Sequence, residues 1–230
     1  MSGLEMSGLH LLGLRLARFR HRRRLRPGAL MDCWQQGLPS ESADWRTLDF
    51  IVVDAEMSSL DPREGELLSL GWVVIRCGAI ELGSATHRIV RASSSVGQSA
   101  VIHQLRDLDL VDGESPKSVL NALLHAACGK IPVFHNGRLD LAFLDPIART
   151  CHGAPLLMPC VDTLQAEQRL LRRRGITPRA GDLTLAGCRA RYGLGNHAAH
   201  NALGDALATA ELLLAHASSR GAGICLGDLL

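Results

Sequence analysis

Asp54-Ala55-Glu56 stands at the end of Phe50-Ile51-Val52-Val53, a short continuous apolar run. Acidic side chains are poor strand residues, and two of them at the end of a buried strand need a reason. One intervening residue puts both carboxylates on the same face of an extended chain. Like charges so placed repel and raise each other's pKa unless a cation sits between them. By itself D-x-E is a common pattern, and a solvated strand end accounts for it more simply. A second segment, His135-Asn136-Gly137-Arg138-Leu139-Asp140, directly follows the apolar run 131–134. Here Asn136 suits a strand-to-helix turn, and Asp140 falls in the first helical turns, where the macrodipole alone favours an acid. The third, His200-Asn201-Ala202-Leu203-Gly204-Asp205, opens a helix that runs on to Ala217. A histidine at its start and an aspartate five residues later can address one site at its N-terminal end. His197 competes for the histidine's place, and a lone histidine there is more often a hydrogen-bonded structural residue. Four acids and a histidine, all at strand ends or helix starts, are together far less a matter of chance than any one segment.

The elements that must position these groups are legible from pattern. Residues 50–53 form a strand covered on both faces. Residues 67–75 and 80–90 form two more, joined by a hairpin turn at Cys77-Gly78. Ser115 as N-cap and Pro116 at the first helical position open a helix to Cys128. A fourth strand at 131–134 leads into a helix from about Leu139. A short strand ends near Val161, with Asp162 capping a helix over 163–173. The spacing predicts further helices at 181–192 and 201–218, and one within residues 1–26 that ends at Pro27-Gly28. Residues 35–49 read as a linker. A strand meander followed by alternating helices and strands predicts an α/β sandwich around a mixed sheet.

With these motifs in place, the chain resembles the DnaQ-like DEDDh 3′→5′ exonucleases, the family of the proofreading epsilon subunit of bacterial DNA polymerase III. The resemblance covers roughly residues 48–217. VVDAEMSSLDP is similar to the family's first motif, VFHNGRLDLAFLDP to its second and NHAAHNALGDALATAELLL to its third. The segments SAVIHQL (99–105) and VDTLQAEQRLLRRRG (161–175) leading to LAGCRARYGL (185–194) are also similar. Two departures stand out. Met57-Ser58-Ser59 replaces the two threonines and glycine common after D-x-E, making EMSSLDP similar to the first motif of oligoribonuclease. Leu139 replaces a phenylalanine common in the second motif. The resemblance implies a ribonuclease H-like fold with a mixed five-stranded sheet flanked by helices. It divides the chain into a basic helical arm and linker (1–47), an exonuclease domain (48–220) and a C-terminal tail (221–230).

It also implies a mechanism. Phosphodiester hydrolysis needs a strong nucleophile, in-line geometry and neutralised phosphoryl oxygens, which two divalent cations about 4 Å apart can supply. Hard ions such as Mg²⁺ or Mn²⁺ prefer oxygen ligands, hence carboxylates rather than Cys/His clusters. By the resemblance, Asp54, Glu56, Asp140 and Asp205 hold the ions, Asp54 bridging both, and His200 is the general base. Met57 and Ser58 line the pocket for the 3′-terminal nucleotide. Ile102 and His103 lie beside its base or sugar, with plain core an equal reading for Ile102. Asn136 orients the substrate strand or satisfies the turn's backbone. Arg172, Arg173 and Arg174 either track phosphates or form a solvated helix end.

Composition sets the outer limits. A chain of 230 residues fits one domain with an extra segment, and 47% hydrophobic with 21% charged residues indicates a globular protein. Aromatic residues make up only 3%, so base-stacking platforms are few. The seven cysteines are scattered without a C-x-x-C pair, which argues against zinc knuckles and a disulfide framework. With no long apolar run and no signal-peptide pattern, the expected setting is cytoplasmic and without a membrane. The net charge of +2 hides seven arginines against the single acid Glu5 in residues 1–30. A phosphate-binding arm, a solvated leader and a mitochondrial transit peptide all remain open for that stretch. The expected partner is nucleic acid with a free 3′ end, DNA rather than RNA, together with a DNA polymerase. Two alternatives stand beside a DNA exonuclease: an oligoribonuclease-like exoribonuclease, and a non-catalytic nucleic-acid or polymerase-binding module.

Overall fold

The computed structural model describes residues 3–91, 112–197, 201–221 and 223–230, with side chains from residue 11 onward. Its centre is a five-stranded mixed sheet in the order β3-β2-β1-β4-β5. Strands β1 (Phe50–Met57), β2 (Leu67–Arg76) and β3 (Ala79–Ile89) form an antiparallel meander. Strands β4 (Ile131–Phe134) and β5 (Val161–Asp162) add to β1 in parallel. The β2–β3 turn is Cys77-Gly78, both with positive φ (50° and 71°), the backbone twist that a two-residue hairpin favours.

Alternation along β1 feeds two cores. Ile51, Val53 and Ala55 join one with Leu30, Val119, Leu120, Leu124 and Leu144. Phe50 and Val52 join the other with Trp45, Ala210, Leu213 and Ala217. Helices α2 (Ala29–Gln35), α3 (Pro116–Ala127) and α4 (Gly137–His152) cover the first face. Helix α7 (Ala202–Ser219) and the short α8 (Leu226–Leu229) cover the second. A strand apolar on both faces is what two covering layers require. The helix starts follow their caps: the Ser115 hydroxyl accepts from the Ser118 amide at 3.2 Å at α3, and Asp162 caps α5 (Thr163–Arg173).

Three regions differ from the sequence pattern. The helix expected over 181–192 is confined to α6 (Leu185–Ala190). Its hydroxyl N-cap, Thr184, also closes a turn back to Gly181, a local alternative to helix that threonine offers. The linker at 35–49 contains a 3₁₀ turn, Trp45–Thr47, whose Trp45 is 2% exposed. Residues 221–230, expected as a tail, place Leu226 and Leu229 fully inside the second core. The arginine-rich start forms α1 (Gly3–His21), and two of its neighbourhood's arginines are tied down. Arg18 Nε donates to the Leu157 carbonyl at 2.8 Å, and Arg26 Nη1 to that of Thr150 at 3.0 Å. Among the described residues no helix is long and apolar enough to cross a membrane.

Candidate active site

Asp54 and Glu56 share the parity of Phe50 and Val52, so both face the side of the sheet that α7 covers. Directly opposite Asp54 on β2 is Gly71. A Cβ at Gly71 would run into the backbone of Ala202 and Leu203. The absent side chain therefore lets the first turn of α7 rest on the sheet. That turn carries Asp205, and one carboxylate oxygen from each of Asp54, Glu56 and Asp205 lies within 4.8 Å of the others. Asn201 caps the helix through Oδ1, which accepts from the Gly204 amide at 3.1 Å. His197 Nε2 lies 2.8 Å from Asp205 Oδ1.

Asp140 arrives from the opposite layer, on the first turn of α4. It is 5% exposed. The start of α4 is held by Asp162, whose Oδ1 accepts from the Asn136 amide and Oδ2 from the Gly137 amide, both at 3.1 Å. Asp162 Oδ1 also accepts from the Leu164 amide at 3.0 Å, so one carboxylate joins the starts of α4 and α5. Asn136 itself is left-handed (φ 74°), a conformation asparagine tolerates better than most residues.

Confinement makes these acids hard to ionise together. Burial, followed by the charges of Asp140, Asp205 and Glu56, holds Asp54 well above the ordinary carboxylate range. Burial and the Asp205 charge push Glu56 up to about 7. Asp140 is pushed up to about 8, chiefly by burial, with the nearby backbone amides of Asp140 and Ala55 opposing and the Asp162 and Glu56 charges adding to it. Such a cluster is poised to receive positive charge.

The other sequence-derived residues are placed as follows. Met57 is buried in the first core. The Ser58 hydroxyl accepts from the Glu66 amide at 2.8 Å, closing the loop after β1. Asn136 is exposed, and its side chain makes no capping hydrogen bond, so the turn's backbone is served by Asp162 instead. Arg172, Arg173 and Arg174 are exposed at the end of α5. Ile102, His103 and His200 lie outside the described residues.

Two groups were not singled out from the sequence. Gly71 had a signal, an isolated glycine inside a strand pattern, which marks a close backbone approach. The other is Glu167, fully buried on the inner side of α5. Its Oε2 pairs with Arg191 Nε at 3.0 Å, and its Oε1 meets the Tyr192 hydroxyl at 2.5 Å and His216 Nδ1 at 2.8 Å. Burial pushes its carboxyl up, but the hydrogen bonds from His216, Tyr192 and Arg191 outweigh that and hold it below the usual range.

A mixed sheet with helices on both faces, and a carboxylate cluster where β1 ends, is an architecture of the ribonuclease H-like kind. Residues 51–213 match the model of the Exonuclease family, and the chain belongs to that family. It is 28% identical over 176 residues to the PolC-type DNA polymerase III of Thermotoga petrophila, covering 76% of this chain but only 12% of that protein. E. coli Exonuclease I, solved with a dT13 oligonucleotide, superposes with a TM-score of 0.58 at 16% identity over 73% of this chain and 40% of that one. Exonuclease X, solved with 5′-overhanging duplex DNA, gives 0.58 at 20% identity over 75% of this chain and 93% of that one.

Proposed function

We propose that the chain is a metal-dependent 3′→5′ exonuclease that releases nucleoside 5′-monophosphates from the 3′ end of single-stranded DNA. The observation that supports it most directly is the mutual reach of the Asp54, Glu56 and Asp205 oxygens. An all-oxygen, self-repelling donor set fits hard divalent cations such as Mg²⁺ or Mn²⁺. Asp54, Glu56, Asp140 and Asp205 would hold two of them, and Asp54 feels the charges of the other three. When bound, the ions lower the pKa of the attacking water and neutralise the phosphoryl oxygens. His200 takes the proton from that water. Attack on phosphorus breaks the bond to the 3′ oxygen, so the shortened strand keeps a 3′ hydroxyl and the freed nucleotide keeps the phosphate. Asn136, exposed beside the start of α4, is suited to contact the substrate strand, and Ser58, Ile102 and His103 are assigned to the terminal nucleotide, whereas Met57 packs in the first core on the other face of the sheet from the acids.

DNA is favoured because the Exonuclease I and Exonuclease X structures contain it and the Thermotoga relative is a DNA polymerase. A polymerase partner is proposed on that last likeness alone. The string EMSSLDP supports a second reading, an exoribonuclease acting on short oligoribonucleotides. Matched DNA and RNA oligomers, incubated with Mg²⁺ or Mn²⁺ and with EDTA, decide between them. The expected result is stepwise shortening of DNA from its 3′ end, abolished by EDTA and reduced at least about 10³-fold in Asp205→Ala. A strong preference for RNA would replace the first reading with the second, and an undiminished Asp205→Ala would remove both.

A further inference from the structure

Arg189, near the end of α6, keeps its charge almost out of water, with its side chain 5% exposed. Nη1 donates to the Ala208 carbonyl at 2.7 Å and lies 2.7 Å from Glu211 Oε2, while Nη2 donates to the Gly195 carbonyl at 3.0 Å. A buried guanidinium loses its hydration and needs acceptors in its place. Here two of the acceptors are backbone carbonyls from different segments, which ties the position of one to the other. Ala208 lies about one helical turn beyond Asp205 on α7. Gly195 precedes by two residues His197, whose Nε2 reaches Asp205 Oδ1. Arg189 thus grips both the helix that bears a site acid and the approach to the histidine-bearing segment.

We propose that Arg189 is a positioning residue for the acid cluster: by clamping Gly195 to α7 just past Asp205, it sets the His197–Asp205 contact and the direction in which the Asp205 carboxylate faces the cations. The inference rests on the metal-dependent reading above. A lysine can satisfy one carbonyl but lacks the planar fork that spans two, so charge alone does not replace this residue.

The test uses the full chain with Arg189→Lys and Arg189→Met, and Arg191→Met as comparator. Arg191 lies just beyond the same helix but bonds to Glu167 and the Asp182 carbonyl, not to Gly195. Mn²⁺ binding is measured by calorimetry without nucleic acid, kcat and KM on a DNA oligomer, and folding by circular dichroism. Both Arg189 variants are expected to bind Mn²⁺ about tenfold or more weakly. Their kcat should fall about 10²-fold with KM within about twofold. Arg191→Met should lose melting temperature while keeping wild-type Mn²⁺ affinity. Should Arg189→Met not fold, Arg189→Lys carries the test, together with recovery of kcat in Arg189→Gly on adding guanidinium ion. Wild-type Mn²⁺ affinity and kcat in Arg189→Lys, or equal losses in Arg191→Met, would overturn the proposal and leave the metal site standing. A wild-type chain that binds no Mn²⁺ would instead remove the metal-dependent reading, and this inference with it.

Discussion

Glu56 and Asp140, pushed up to about 7 and about 8, still hold protons at pH values where the unfolded chain has released them. Their unfolded counterparts titrate at about 4, so the folded state binds more protons throughout the interval from about pH 4 to 8. The sign follows: in the metal-free protein these groups contribute stability at low pH that is lost as pH rises through their folded values. The melting temperature of EDTA-treated protein should therefore be lower at about pH 8 than at about pH 5, and Glu56→Gln should flatten that slope. Parallel curves for the two proteins would show that Glu56 is not strained. Mn²⁺ should raise the melting temperature most at the alkaline end, where no proton need be displaced. On the role proposed for His200, His200→Ala should lower kcat by about 10² to 10⁴ and His197→Ala by less, and the reverse order would move the proton acceptor to His197. At this scale the site acids were readable because an acid at the end of an apolar strand has few structural uses. Arg189 and Glu167 were not, because a buried charge looks like a surface one until its partners, 19 and 49 residues away, are known.

At the scale of elements, Gly71 is the fulcrum. Gly71→Ala must push the first turn of α7 off β2, and overpacking of this kind costs about 1–3 kcal/mol. Activity should drop about 10²-fold, since small displacements of a reacting group suffice for that. Gly83→Ala, on β3 with nothing within 4 Å of its Cβ, should stay within about 0.5 kcal/mol of wild type by urea denaturation. Equal behaviour of the two variants would show that α7 does not depend on the missing side chain. Glu167→Ala strands the partners of a buried carboxylate and should cost about 3–5 kcal/mol. The hairpin at Cys77-Gly78 and the caps at Ser115 and Asp162 were legible because they are decided within a few residues. The shortening of α6 was not: Thr184 had to choose between continuing a helix and closing a turn, and its surroundings decided.

For the whole molecule, the ends are structural. Leu226 and Leu229 are fully buried against Trp45 and α7, so Leu226→Ala should destabilise by about 2–5 kcal/mol, read from a shifted denaturation midpoint. An unchanged midpoint would make the last helix dispensable. Composition could not show this, because a short apolar stretch after a long helix reads the same whether it docks or dangles. The placement of Asp205 on the last long helix has a consequence for how the protein is made. Residues 54, 56 and 140 leave the ribosome well before residue 205, and chains emerge at about 5–20 residues per second. Until residue 205 has emerged, a nascent chain lacks the turn that brings the third carboxylate to Asp54 and Glu56, and the metal site proposed above cannot assemble.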